Sequence, residues 1–270
     1  MKDRVRPIAF GSIKSTKRTI TKFHDMTNQF GLSRNIPESI KRQVRQRCGY
    51  GCVICGTGIV EYEHIRPEFA KAKAHDPLGI ALLCPTCHAK KTRNFLSARR
   101  VLEAMERPAA KTSGFAFSEL ENHQSHPYVV LGGMTLMNCP TPVQVGGIPL
   151  IRIEQAEEAC GPYQITASFF DENGIPSLFI RRNEWQVAAN TWDVEAIGGR
   201  ITVRTGPGEI ALQLLLDPGE GVVVERLKMY CGGYFFEASR DHLDVTLPGG
   251  GRTSFRNCLS DNCIVGLALN

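Results

Sequence analysis

Two pairs of cysteines have the type and spacing of metal ligands. Cys52 and Cys55 form one Cys-x-x-Cys pair, Cys84 and Cys87 form the other, and 28 residues separate the pairs. Two such pairs complete the tetrahedral shell of four thiolates that proteins use for structural Zn²⁺. Because all four ligands are sulfur, no coordination position is left open. The spacing therefore predicts a zinc ion that stabilises the fold and takes no part in catalysis.

A carboxylate and two histidines lie beside these cysteines. Glu63 and His64 are adjacent in "EYEHI", and His88 directly follows the last cysteine in "LLCPTCHAKK". If both pairs bind one zinc ion, His88 comes close to Glu63 and His64. Glu63 and His88 could then hold a hydrated divalent cation against a phosphate. A neutral His64, with an ordinary pKa of about 6.5, could take a proton from the attacking water. These groups suit metal-assisted hydrolysis of a phosphodiester.

The elements that position these residues can be predicted around them. "GIVEYEHI" is rich in β-branched and aromatic residues and predicts a strand, and "IALLC" predicts a second, shorter strand. A loop, "RPEFAKAKAHDPLG", separates them, and "PTCHAKKTRNFLSARRVLEAMER" has helical composition up to Pro108. One cysteine pair precedes the first strand and the other begins the helix, so the unit is compact.

A basic amphipathic helix is predicted before the first cysteine pair, in "SRNIPESIKRQVRQRCGYG". Asn35 can cap this helix, and Pro37 suits its first turn. Ile40, Val44 and Cys48 recur every four residues and predict a buried stripe. We expect the stripe to pack on the metal module and the basic outer face to be available to phosphate.

The segment from about Ile36 to Leu96 resembles the HNH endonuclease family, whose module is a ββα-metal fold with a four-cysteine zinc. The matching stretches are "CVIC", "VEYEHI" and "LLCPTCHAKKT", within roughly 60 of the 270 residues. The resemblance implies that His64 is the general base. It also implies that Glu63 and His88 bind the catalytic cation, Mg²⁺ or another divalent ion.

By this resemblance the chain is expected to be a metal-dependent endonuclease that hydrolyses DNA, with RNA as substrate left open. Phage defence, restriction and mobile-element biology are all contexts in which such a module occurs.

One position departs from the family, which commonly has an asparagine five residues before the third cysteine, where this chain has Gly79. His75 or Asp76 could take over the role of the asparagine, and Asn94 is a further candidate. The alternative is a non-catalytic zinc module that binds nucleic acid, with the β-rich domain recognising protein partners.

Charge is divided unequally along the chain. Residues 1–112 carry 22 Lys and Arg against 9 Asp and Glu, a net charge of +13, whereas residues 113–270 carry 10 against 18, a net charge of −8. A local excess of positive charge of this size indicates a polyanionic partner, and we expect that partner to be DNA. The residues expected to contact nucleic acid are Arg42, Arg45, Arg66, Lys90, Lys91 and Arg93.

We divide the chain into a basic arm at residues 1–32, an HNH nuclease domain at 33–112 and a β-rich domain at 113–270. The predicted class is α+β. Beyond residue 113, strand-like runs alternate with turn signals such as "DENG", "GPGE" and "PGGG", which predicts an all-β sandwich or a solenoid. Trp185 and Trp192 are expected to pack in the core of this domain. We expect the domain to serve in sensing, regulation or homo-oligomerisation.

No apolar run approaches the roughly 20 residues needed to cross a bilayer, and the basic N-terminus lacks the apolar core of a secretory signal. The expected location is therefore the cytoplasm, with no membrane partner. Six further cysteines show no paired spacing and are expected to be small buried residues; they are Cys48, Cys139, Cys160, Cys231, Cys258 and Cys263.

Overall fold

The computed structural model describes residues 27–121, 125–156, 161–218 and 220–270. Most of the predicted basic arm, and also Cys160, lie outside these residues. The described chain is mostly β-sheet with a small helical part, which agrees with the predicted class in its coarse form. The helical part precedes residue 114, and every described strand beyond residue 83 follows it.

The N-terminal part contains four short helices and one antiparallel pair of strands among the described residues. In chain order these are α1 (Glu38–Cys48), β1 (Glu61–His64), β2 (Ile80–Leu83), α2 (Pro85–Thr92), α3 (Ala98–Glu106) and α4 (Ala109–Ser113). Strand β1 pairs with β2 so that Glu63 lies opposite Ala81. All four residues of β2 are buried. The predicted order of strand, loop, strand and helix is therefore observed.

Helix α1 begins after Pro37 and not at Asn35. The carbonyl of Pro37 accepts hydrogen bonds from the backbone N–H groups of Ile40 and Lys41, each at 3.0 Å. The helix ends at Gly49, which has a φ of 71° and donates its N–H to the carbonyl of Arg45. A residue without a side chain adopts this left-handed conformation at low cost, which explains the glycine at the C-terminal end.

The long helix predicted after Cys84 is two helices, because the chain turns between α2 and α3. Asn94 has a φ of 62° and so lies in the left-handed region, where asparagine is tolerated better than most residues. Ser97 then caps α3, since its Oγ accepts a hydrogen bond from the N–H of Arg100 at 3.2 Å. Helical composition alone did not reveal these two interruptions.

Seventeen strands follow among the described residues. The first eight are β3 (Phe115–Glu119), β4 (Tyr128–Leu131), β5 (Met134–Met137), β6 (Thr141–Val145), β7 (Ile148–Gln155), β8 (Tyr163–Phe170), β9 (Pro176–Arg181) and β10 (Glu184–Ala188). The others are β11 (Asp193–Ile197), β12 (Arg200–Gly206), β13 (Glu209–Asp217), β14 (Gly221–Cys231), β15 (Tyr234–Ala238), β16 (Leu243–Thr246), β17 (Arg252–Phe255), β18 (Cys258–Asp261) and β19 (Val265–Leu269).

These strands form two large sheets. One has the order β19-β6-β7-β8-β9-β10-β3, and the other runs from β11 to β17 in chain order, with β4, β5 and β18 attached through β14. Buried residues of both sheets, such as Ile180 and Leu214, belong to one hydrophobic core. Two sheets around a shared core correspond to the sandwich alternative.

A buried ion pair joins α1 to β11. The Arg45 guanidinium donates two hydrogen bonds to the Asp193 carboxylate, from Nε at 2.8 Å and from Nη2 at 2.9 Å. The two side chains are only 4% and 0% exposed. Arg204 also donates to Asp193 at 3.1 Å, and Glu38 accepts from Arg45 at 2.7 Å. The expectation that Arg45 contacts nucleic acid is therefore wrong, because its guanidinium is buried against the β-rich part of the chain.

Arg42 lies at the same junction. Its guanidinium is 4.7 Å from the centre of the Trp192 ring, and its Nε is 3.5 Å from Asp193. These contacts turn Arg42 towards the β sheets as well. Trp192 consequently packs beneath an arginine at the junction, whereas Trp185 is buried in the core as expected. Part of the opposite charge of the two halves is thus neutralised within the molecule.

We expect Arg45→Ala to lower the free energy of unfolding by about 1–3 kcal/mol, because the buried Asp193 loses both hydrogen bonds from Arg45 and keeps only its contacts with Arg204 and Arg42. Urea denaturation followed by circular dichroism measures the change. Arg99→Ala is the matched control, since Arg99 forms an ion pair with Glu103 on the surface, where its side chain is 90% exposed. That control should stay within about 0.5 kcal/mol of the unsubstituted protein. Equal effects of the two substitutions would contradict the prediction.

Candidate metal centre and active site

The four predicted cysteines come together in one group. The sulfur atoms of Cys52, Cys55, Cys84 and Cys87 all lie within 4.8 Å of one another. Cys55 Sγ and Cys84 Sγ are 3.7 Å apart. Zinc–sulfur bonds of about 2.3 Å place the corners of a tetrahedron about 3.8 Å apart, so the group has the size of a four-thiolate zinc site. It is close enough to hold a metal ion, as predicted.

Short backbone hydrogen bonds shape both cysteine pairs. Gly56 donates its N–H to the carbonyl of Cys52 at 2.8 Å, and the N–H of Cys87 points at Cys84 Sγ at 3.4 Å. Burial raises the pKa of the Cys52 thiol to about 11 and also raises that of Cys87. A bound cation would offset this cost, because it stabilises the thiolate form of the four cysteines.

Glu63 and His88 are brought together by β1 and α2. His88 Nε2 is 3.1 Å from Glu63 Oε2, and His88 Nδ1 is 3.1 Å from Glu61 Oε2. Glu61 was not singled out from the sequence, although alternation along a strand puts residues 61 and 63 on one face. Lys91, one turn after His88 on α2, donates to Glu63 Oε1 at 2.7 Å. Lys91 is therefore an ion-pair partner of Glu63 and is only 15% exposed.

The spacing of Glu63 and His88 suits two ligands of one small divalent cation. Neighbouring ligands in an octahedron with bonds of about 2.1 Å are about 3.0 Å apart. The observed oxygen–nitrogen distance is 3.1 Å. Within the described residues, the four cysteines are the one group of three or more His, Cys, Asp or Glu atoms this close. A cation at Glu63 and His88 would thus take its other ligands from water or a substrate phosphate.

His64 ends β1 in a partly closed environment. The residue is 8% exposed, and its Nε2 is 3.0 Å from Nδ1 of His75. The Phe69 ring meets the imidazole edge-on, with 5.4 Å between ring centres. Burial, followed by the nearby His75, lowers the pKa of His64, although the Glu63 carboxylate acts in the opposite direction. The lowered pKa keeps the imidazole neutral at neutral pH, as a general base requires.

Gly79 allows its own backbone to lie close to the backbone of Arg66. Its carbonyl accepts hydrogen bonds from the N–H groups of Ile65 at 2.8 Å and Arg66 at 3.1 Å. A Cβ atom at Gly79 would lie 2.0 Å from the carbonyl oxygen of Arg66. An asparagine therefore does not fit at this position in this fold.

Of the three residues considered as substitutes for the asparagine, His75 is the one found to contact His64. Asp76 instead accepts a hydrogen bond from the N–H of Leu78 at 2.9 Å and so caps a short 3₁₀ turn. Asn94 forms the left-handed turn after α2. The sequence placed His75 in the right loop but gave no sign that it would reach the imidazole of His64.

Three of the residues expected to contact nucleic acid are exposed, namely Arg66, Lys90 and Arg93. Arg34 was not predicted, and its guanidinium lies 4.7 Å from the centre of the Phe69 ring, next to His64. No sequence signal marked it. Of these exposed cations, Arg34 precedes α1, Arg66 lies in the β1–β2 loop, and Lys90 and Arg93 lie on α2 and at its C-terminal end.

Comparison of the chain with protein-family models, curated proteins and solved structures gives no significant match. Among the described helices, none is long and apolar enough to span a bilayer.

We expect Gly79→Ala to destabilise the protein by about 1–3 kcal/mol, because the new Cβ collides with backbone and not with a flexible side chain. The midpoint of thermal unfolding measures the loss, and zinc content shows whether the metal centre survives. Gly249→Ala is the control, since a Cβ there has nothing within 4 Å. If the Gly79→Ala protein is as stable as the control, then the backbone of Gly79 does not lie this close to the carbonyl of Arg66.

Proposed function

We propose that this protein is a metal-dependent endonuclease of the HNH class that hydrolyses phosphodiester bonds of DNA. The observation that carries the proposal is the Glu63–His88 pair at 3.1 Å, next to a buried histidine of lowered pKa. The four-cysteine group supports it, because it fixes the strand and the helix that carry the pair. The resemblance of "VEYEHI" and "LLCPTCHAKKT" to the HNH motifs points in the same direction.

His64 takes the proton of the attacking water in this mechanism. We place the proton between the two imidazoles on Nε2 of His64, donated to Nδ1 of His75. The Nδ1 atom of His64 then keeps its lone pair and can accept a proton from water. Glu63 and His88 would hold a divalent cation such as Mg²⁺, which when bound neutralises charge on the scissile phosphate.

The positive groups around this site favour a polyanionic substrate. Lys91 contacts Glu63, and Lys90, on the same helix, is exposed. Arg66 lies two residues after His64 and is also exposed. Such side chains bind phosphates without reading sequence, so cleavage by this surface would depend strongly on salt and weakly on base sequence. RNA offers the same phosphates and remains a second substrate to compare with DNA.

A non-catalytic module that binds nucleic acid is the second candidate. It is favoured by the ion pairs of Glu63, whose two carboxylate oxygens already contact Lys91 and His88. A carboxylate satisfied in this way needs no cation. Under this alternative the β-rich domain would recognise a protein partner.

One site of this kind cuts one strand, so a break in both strands needs two protomers or two events. We propose that the β-rich domain supports a homo-oligomer and that the protein acts in the cytoplasm.

We expect the purified protein to nick supercoiled plasmid in the presence of Mg²⁺ or Mn²⁺, and His64→Ala to reduce the rate at least about 100-fold through loss of the base. Zinc content per chain should be unchanged. His242→Ala, a substitution in the β sheets, serves as control and should retain activity. Parallel assays with single-stranded DNA and RNA establish the substrate class. If the unsubstituted protein binds DNA but never cuts with any divalent ion, the second candidate replaces the first.

We further expect His75 to be a positioning residue. His75→Leu removes the acceptor for His64 Nε2 and should lower kcat about 10- to 100-fold while KM for DNA stays constant. His75→Asn offers an amide oxygen as a new acceptor and should restore part of kcat. Thermal unfolding of both variants controls for stability. Equal losses in the leucine and asparagine variants would argue against the hydrogen bond as the cause.

A further inference from the structure

Two cysteines far apart in sequence meet at one corner of the β sheets. Cys139 lies between β5 and β6, and Cys263 lies between β18 and β19. Their sulfur atoms are 3.1 Å apart although 124 positions separate the residues. Neither belongs to the four-cysteine group, and neither has a role in the proposed hydrolysis.

The topology explains why these two turns run side by side. Strand β18 pairs in parallel with β5 in the larger sheet, and β19 pairs in parallel with β6 in the smaller one. Both connections therefore cross from one sheet to the other at the same corner. The cysteines sit within these two crossings, where neighbouring backbones are already aligned.

Hydrogen bonds on both sides of the cysteines hold the crossings together. Before them, Asn138 Nδ2 donates to Asp261 Oδ1 at 2.8 Å, and the N–H of Asn262 donates to the carbonyl of Met137 at 3.2 Å. After them, the N–H of Thr141 donates to the carbonyl of Ile264 at 3.2 Å. The two thiols thus face each other because the surrounding backbone is fixed.

We propose that Cys139 and Cys263 form a redox-active dithiol site, which a low-molecular-weight disulfide converts into an intramolecular disulfide. This is a site of covalent modification, and it is independent of the proposed nuclease activity.

The reaction is thiol–disulfide exchange and balances without any further reagent. The Cys263 thiolate attacks one sulfur of the small disulfide, forms a mixed disulfide and releases one small thiolate. The Cys139 thiolate then attacks Cys263 Sγ and releases the second. The protons lost by the two cysteines are taken up by the two small thiolates, so the protein is oxidised by two electrons and the small disulfide is reduced to two thiols.

The order of the two steps follows from exposure. Cys263 is partly exposed, whereas Cys139 is buried. Burial, followed by the hydrogen bond and charge of Cys263, raises the pKa of Cys139 to about 12. The contribution of Cys263 to that pKa disappears once Cys263 carries the mixed disulfide. Cys263 is therefore the attacking thiol and Cys139 the resolving one.

The disulfide would tie the last strands to the body of the sandwich. Among the described strands, β19 is the outermost of its sheet and pairs with β6 alone. A covalent bond across a loop of 124 positions strongly restricts the unfolded chain. We expect oxidation to raise the midpoint of thermal unfolding by about 5–10 °C.

The experiment treats the full-length zinc-loaded protein with oxidised glutathione. The remaining thiols are then alkylated, and the disulfide-linked peptides are mapped without reduction. The expected result is a peptide linked through Cys139 and Cys263, with the rise in unfolding midpoint and no loss of zinc. Cys263→Ser should abolish both the linked peptide and the rise. Cys258→Ser is the matched control, because Cys258 lies in the preceding strand with similar exposure, and it should behave as the unsubstituted protein.

Three results would overturn the proposal. These are a glutathione adduct that persists on Cys263, a linkage that uses Cys258 or a cysteine of the metal group, and a linked peptide without any rise in the midpoint. Because Cys139 is buried and its replacement could impair folding, Cys263→Ser carries the test and reduced samples of each variant control for stability. Nicking activity is not a readout here, so failure of this site leaves the proposed hydrolysis untouched.

Discussion

The arrangement of the candidate site depends on four sulfur atoms that lie within 4.8 Å of one another. One cysteine pair precedes β1 and the other begins α2, so any ion that the four sulfurs bind fixes the strand relative to the helix. Glu63 on the strand and His88 on the helix then lie 3.1 Å apart. A metal bound by this group would add to the stability that the buried apolar residues of the unit provide. The four-cysteine group and the candidate active site therefore share the same strand and helix.

A second constraint acts on the loop between β1 and β2. The end of this loop, at Gly79, lies so close to the backbone of Arg66 that there is no room for a Cβ atom. The same approach supplies hydrogen bonds to Ile65 and Arg66, which hold the chain directly after His64. The same loop brings His75 to the imidazole of His64. Backbone hydrogen bonds and the contact with His75 together hold His64 in place.

Predictions from the sequence succeeded where the spacing along the chain determines the geometry. The metal group and the meeting of Glu63 with His88 follow from short intervals around two cysteine pairs, and the strand-rich second half follows from composition and turn residues. Predictions failed where geometry depends on distant partners. Arg45 looked like a surface cation on an amphipathic helix, and only the placement of Asp193, 148 positions later, shows that it is buried. Cys139 and Cys263 meet through strand pairing, which cysteine spacing does not encode.

The buried pair of Arg45 and Asp193 also changes the meaning of the charge asymmetry. Net charge counts every cation equally, but a guanidinium bound to a buried carboxylate contributes little field outside the protein. With Arg42 and Arg45 directed at the β sheets, the positive surface left for a polyanion shifts to α2 and the β1–β2 loop. That is the side of the module where Glu63 and His64 lie. The internal ion pairs therefore leave fewer cations of α1 for the proposed contact with nucleic acid.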